Sequence, residues 1–92
     1  MKYRVVWRQR IQNQMHTSAF LLRERGGDTK PLRDAVRSIE DAMTSNPEQV
    51  GESRGGNERV FIVAPLSVQY EVFEDDRIVL IYEATLHPRR KL

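Results

Sequence analysis

Five side chains in the C-terminal half, Arg54, Arg59, His87, Arg89 and Arg90, are of types that act on phosphodiesters. Guanidinium groups stabilise the charge that gathers on a phosphate under attack, or simply bind phosphate. His87 is the one of the five whose unperturbed pKa suits acid–base work near neutrality. They can converge only if the loop carrying Arg54 and the tail carrying His87 lie at one end of a sheet. Other chemistries find less to work with. There are no cysteines, so there is no thiolate metal site, no thiol nucleophile and no disulfide. His16 and His87 stand far apart and outside any metal-ligand spacing. Gly51, Gly55 and Gly56 lack the lysine–threonine pair of a phosphate loop, and Asp75-Asp76 reads as a tight turn. No cofactor or metal is expected.

Charge is distributed unevenly. Residues 1–37 carry nine Lys/Arg against three Asp/Glu, residues 38–88 carry three against ten, and Arg89, Arg90 and Lys91 follow. Arginine supplies 12 of the 15 cations and is the better residue for planar contacts to phosphate and carboxylate. The arrangement fits either internal ion pairing or a surface that meets an anionic partner. At 92 residues the chain is one domain. No apolar run approaches the roughly 20 residues of a membrane span, and MKYRVVWRQR is no signal peptide, so a cytoplasmic protein away from membranes is expected.

The elements that must position these groups follow from periodicity. Tyr3-Arg4-Val5-Val6-Trp7 reads as a strand. From about Arg10 to Arg25, Ile11, Met15, Ala19 and Leu22 form a helical stripe that Phe20 and Leu21 widen or overflow, and Gly26-Gly27 end it. A second helix begins near Thr29, with Asp28 or Thr29 as cap and Pro31 in its first turn. Its stripe is Leu32, Ala35, Val36, Ile39, Ala42 and Met43, and Asn46-Pro47 stop it. Residues 46–58 read as an exposed loop. Strands follow at 59–64, 67–73 and 77–83, short links making them antiparallel, and the tail from Ala84 leaves the sheet. Tyr70 and Tyr82 both read as core by parity with Val68 and Leu80. The class is α+β in the order β-α-α-β-β-β, a helix hairpin on one face of a mainly antiparallel four-stranded sheet, the other face left open. Glu71, Glu74 and Glu83 make an acidic strand face, either solvated or open to a basic partner segment.

The runs Gly51-Glu52-Ser53-Arg54, Arg59-Val60-Phe61, Pro65-Leu66-Ser67-Val68-Gln69-Tyr70-Glu71-Val72 and Asp75-Asp76-Arg77-Ile78-Val79 resemble the second half of RelE/ParE superfamily toxins. The opening Tyr3–Trp7 strand before a helix pair is similar to the same family. The resemblance spans residues 1–92 as a single such domain with a basic tail at 86–92. It implies the toxin of a type II toxin–antitoxin pair of the plasmid-stabilisation kind, neutralised by a cognate antitoxin. The RelE-like branch is an mRNA endoribonuclease acting on the ribosome, and the ParE-like branch poisons DNA gyrase. Arg54, Arg59, His87, Arg89 and Arg90 are the candidate catalytic set, and Phe20 and Leu21 the candidate antitoxin-binding residues. Three features depart from the RelE pattern. Ser67-Val68-Gln69 replaces an expected arginine, Phe61-Ile62-Val63 replaces expected lysines, and no tyrosine follows Arg89-Arg90. Leu86-His87-Pro88-Arg89-Arg90 is similar to a ParE-type ending. A catalytically silent protein-binding module of the same fold is the alternative.

Overall fold

The computed structural model describes residues 2–87. Strand β1 (Arg4–Trp7) leads into helix α1 (Gln9–Glu24), then helix α2 (Lys30–Ser45). Four strands complete the chain: β2 (Glu52–Ser53), β3 (Glu58–Val63), β4 (Leu66–Phe73) and β5 (Ile78–Leu86). The sheet order is β1-β5-β4-β3-β2. All pairs are antiparallel except β1 with β5, which runs parallel from Arg4 opposite Ile78 to Trp7 opposite Ile81. The α+β class and the helix hairpin are as expected. The sheet is mixed and has five strands rather than four, because Glu52-Ser53 in the expected loop adds an edge strand against Arg59 and Val60.

The helices cover one face, and the core lies beneath them. Ile11 and Met15 of α1 and Leu32, Ala35, Ile39 and Met43 of α2 meet Leu66, Val68, Tyr70 and Val72 of β4 and Val79, Ile81 and Ala84 of β5. The stripe of α2 is the one its sequence spacing predicts. Its start is held by Asp28, whose Oδ1 accepts from the Lys30 N–H at 2.9 Å, so Asp28 and not Thr29 supplies the cap.

Two expectations about β5 are corrected. The strand runs on through Ala84, Thr85 and Leu86 instead of leaving the sheet, pairing them with Val68, Ser67 and Leu66. Tyr82 is not core. The register shifts between Gln69 opposite Glu83 and Tyr70 opposite Ile81, so Tyr82 is an extra residue, a β-bulge. The bulge moves the buried parity from Val79 and Ile81 to Ala84 and leaves Ile78, Leu80 and Tyr82 half-buried on the other face.

Beyond Ile81 the β1 strand has ended, and β5 would present bare carbonyls. The first turns of α1 close that edge. Arg10 Nη2 donates to the Tyr82 carbonyl at 3.1 Å and Gln14 Nε2 to the Ala84 carbonyl at 2.9 Å. Side chains thus satisfy an edge that would otherwise recruit another strand.

Candidate functional site

The face away from the helices is built by alternation. On β4 it carries Ser67, Gln69, Glu71 and Phe73, because Leu66, Val68, Tyr70 and Val72 point to the core. Register then places Ile62 beside Ser67, Val60 beside Gln69, and Glu58 directly opposite Glu71. Glu52 sits opposite Val60 on the edge strand, and Glu83 opposite Gln69 on the other side. Four carboxylates therefore cross this face in a band, with Val60 and Leu80 among them and Ile62, 67% exposed, beside them. Of the expected acidic set, Glu71 and Glu83 belong here, while Glu74 lies in the β4–β5 turn. Like charges directly opposite each other, as Glu58 and Glu71 are, disfavour the pairing.

Tyr82 reports the local field. Its hydroxyl donates to Glu58 Oε1 at 2.6 Å. That hydrogen bond, then burial, then the charges of Glu58, Glu71 and Glu83 push its pKa up to about 12. Tyr70 is also raised, mainly by burial, with Arg59 acting against it. Tyr3 is raised by burial and by its hydrogen bond to Glu48, with Arg77 opposing. A phenol whose folded pKa is raised contributes stability that is intact below its unfolded value and is lost as pH climbs through the folded one. For Tyr82 that window runs from about 10 to about 12. Phenolate absorbance followed against pH is expected to show all three tyrosines ionising above the free-tyrosine range, Tyr82 near 12. Tyr82→Phe should remove the step near 12; a surviving step there would show that Tyr82 is not its source.

The candidate phosphate-binding cations do not converge among the described residues. Arg59 pairs with Tyr70 and points to the helix side, where its Nε donates to the Val50 carbonyl at 3.1 Å and its Nη2 to Gly51 at 3.3 Å. Arg54 is exposed beside Glu52, 3.6 Å away. His87 is at the opposite end of the strands, its Nε2 3.0 Å from Ser67 Oγ and its N–H donating to the Pro65 carbonyl at 2.7 Å. Tyr70 and Ser67 are three residues apart on β4, about 10 Å along the strand, and face opposite sides of the sheet. Arg89 and Arg90 lie outside the described residues. The described residues hold no cluster of three or more His, Asp or Glu that could hold a metal.

A second surface lies between the helices. A groove of about 620 Å³ has Trp7, Met15, Ala19 and Val36 in its floor and His16, Arg33 and Arg37 along its rim. Trp7 Nε1 donates to Glu40 Oε1 at 3.0 Å, which fixes the indole at one end. Phe20 and Leu21 are 56% and 49% exposed, as an interaction surface would require. They do not share one flank. Phe20 stands one turn beyond His16 on the groove side, whereas Leu21 stands two turns beyond Gln14, on the side that covers the β5 edge. Sequence spacing had no means of showing the groove, since Trp7 reaches it from a strand.

Comparison with known proteins bears on the fold. The chain is similar to the crystal structure of the isolated E. coli RelE toxin, with a TM-score of 0.64 and 11% sequence identity over 97% of this chain and 88% of that one. The RelE-like fold is thereby shown. No protein-family profile and no curated protein matches the sequence. No described helix is long and apolar enough to cross a membrane.

Proposed function

We propose that the chain is the toxin of a type II toxin–antitoxin pair and inhibits growth by binding a cellular machine, with DNA gyrase favoured over the translating ribosome. The observation that carries the choice is the band of Glu52, Glu58, Glu71 and Glu83 across the open sheet face, with Arg59 turned to the other side. Phosphodiester cleavage needs donors aimed at developing negative charge, each worth on the order of 3 kcal/mol in the transition state. Carboxylates in that place repel the substrate instead. The cognate antitoxin is read as covering the α1–α2 groove and Phe20, an exposed apolar surface of the kind that takes an amphipathic helix. Leu21 is kept as a second contact on the neighbouring flank. The remaining candidates, Arg54, His87, Arg89 and Arg90, are assigned to contact with the target rather than to bond cleavage. A cytoplasmic site of action follows from such targets.

Controlled induction in a bacterial host tests this. Wild type is expected to abolish most colonies, Arg89→Ala/Arg90→Ala to restore them, and plasmid supercoiling to change while messenger RNA stays intact. Cleaved messenger RNA on translating ribosomes would overturn the binding mechanism. Soluble protein with undiminished colonies would leave a silent binding module of this fold as the reading.

A further inference from the structure

We infer that the open face of the sheet is a docking surface for an extended, basic segment of a partner protein, lying across the strands with long cationic side chains at alternate residues. Among the described residues the surface has no covering layer, because both helices pack on the other side. It is not dressed for water alone. Ile62 is 67% exposed and Phe73 36%, and half-buried Val60 and Leu80 stand between the carboxylates. A sheet face that only meets solvent alternates to polar residues; this one keeps apolar side chains on both sides of its charges.

Charge complementarity selects the occupant. Among the described residues, Glu58 and Glu71 have no Lys or Arg within salt-bridge distance, Glu83 has Arg10 at 3.5 Å, and Glu52 has Arg54 at 3.6 Å. A cation inserted between Glu58 and Glu71 relieves their repulsion and gains two partners at once. Nucleic acid brings the wrong sign. The scale fits a short peptide. Glu52 on β2 and Glu83 on β5 are three strand spacings apart, about 14 Å, which about five residues of extended chain cover. Alternate residues of that peptide face the sheet, so two or three Lys/Arg meet the carboxylates while their alkyl stems rest on Ile62 and Leu80. The inference stands whether or not the chain is toxic, since a harmless protein would present the same face.

The test is a titration of the full-length protein with a labelled Lys-Val-Arg-Val-Lys peptide, read by fluorescence polarisation and by backbone amide shifts. Saturable binding is expected, weakening with salt, with the shifts concentrated at residues 58–62 and 67–71. Glu58→Gln/Glu71→Gln should weaken it by about tenfold, the order expected when a charged contact loses its partners. That double variant removes a repulsion and still offers Tyr82 an amide oxygen in place of the Glu58 carboxylate, and its thermal unfolding is measured beside the binding to show that the fold is kept. Ile62→Ser, at an exposed position, should weaken binding without changing its salt dependence. Equal affinity in the glutamine variant overturns the inference, as do shifts confined to the two helices. So does equal binding of a Glu-Val-Glu-Val-Glu peptide or of oligouridylate. If Arg89→Ala/Arg90→Ala/Lys91→Ala tightens peptide binding by a similar factor, the chain's own cations compete for the face and the assignment to a partner fails.

Discussion

Tyr70→Ala is expected to lower the unfolding free energy by about 3–5 kcal/mol, a large share of the 5–15 kcal/mol that a domain of this size has in total. Tyr70 is fully buried on β4, the middle strand of the sheet, and its ring is part of the core. Its hydroxyl lies 2.8 Å from the Pro47 carbonyl and 2.9 Å from that of Val50, and has one proton to share between them. Arg59 Nε also donates to the Val50 carbonyl. These bonds tie the segment after α2 to the sheet, although that segment has little apolar surface beyond Pro47 and Val50. Tyr70→Phe keeps the ring and removes the proton, and should cost about 1–3 kcal/mol by leaving a buried carbonyl short of a donor. Urea unfolding of the two variants separates packing from the latch. Wild-type stability in Tyr70→Phe would show that the hydroxyl holds nothing.

Gly51→Ala is expected to cost about 3 kcal/mol, and more than the same change at Gly56. Gly51 has φ of +71°, which strains any residue with a Cβ. An added Cβ would also stand 2.3 Å from the Val60 carbonyl oxygen and 3.2 Å from the Tyr70 hydroxyl. Backbone cannot swing aside as a side-chain tip can, so β2 must lift from β3. Gly56, with φ of +55°, has open space where its Cβ would be, and so carries only the conformational cost, about 1–2 kcal/mol. Thermal unfolding of both variants gives the comparison. Equal destabilisation would mean that the approach of Gly51 to Val60 is not tight.

Tyr70 was legible as core in the sequence, whereas the close approach of Gly51 to Val60 was not. The helix hairpin was legible, because Leu32, Ala35, Ile39 and Met43 fall on one stripe and nothing competes with that period. Parity along β4 was equally clear, since Val68, Tyr70 and Val72 share one face and the other alternates Gln69 and Glu71 before Phe73. β5 defeated the same reasoning. In Ile78-Val79-Leu80-Ile81-Tyr82 both parities are apolar, and a bulge then changes the parity midway. Alternation cannot choose between two apolar sets, and a bulge is a matter of pairing, not of composition. β2 was missed because Glu52-Ser53 has no apolar residue to mark a strand. The same limit governed the site. Arg59 looked available for phosphate, yet its strand parity and the carbonyls of Val50 and Gly51 commit it to structure. Glu71 and Glu83 were visible as an acidic face. Glu52 and Glu58 join them only through β2–β3–β4 register.

The parallel pairing of β1 with β5 sets an order in time. Among the described residues, β1 has β5 as its sole neighbour in the sheet, and β5 is made about 70 residues later. Arg10 and Gln14 likewise wait for the carbonyls of residues 82 and 84. Until those residues have been made, a nascent chain can hold the helix hairpin and at most the β2–β3–β4 meander, with the apolar side of β4 short of Val79, Ile81 and Ala84. Folding of this sheet therefore waits for β5, as expected where contacts join distant parts of a chain. A message cut or stalled before Ile78 yields a chain that exposes its core to proteases, so no shortened product carries a finished surface into the cell.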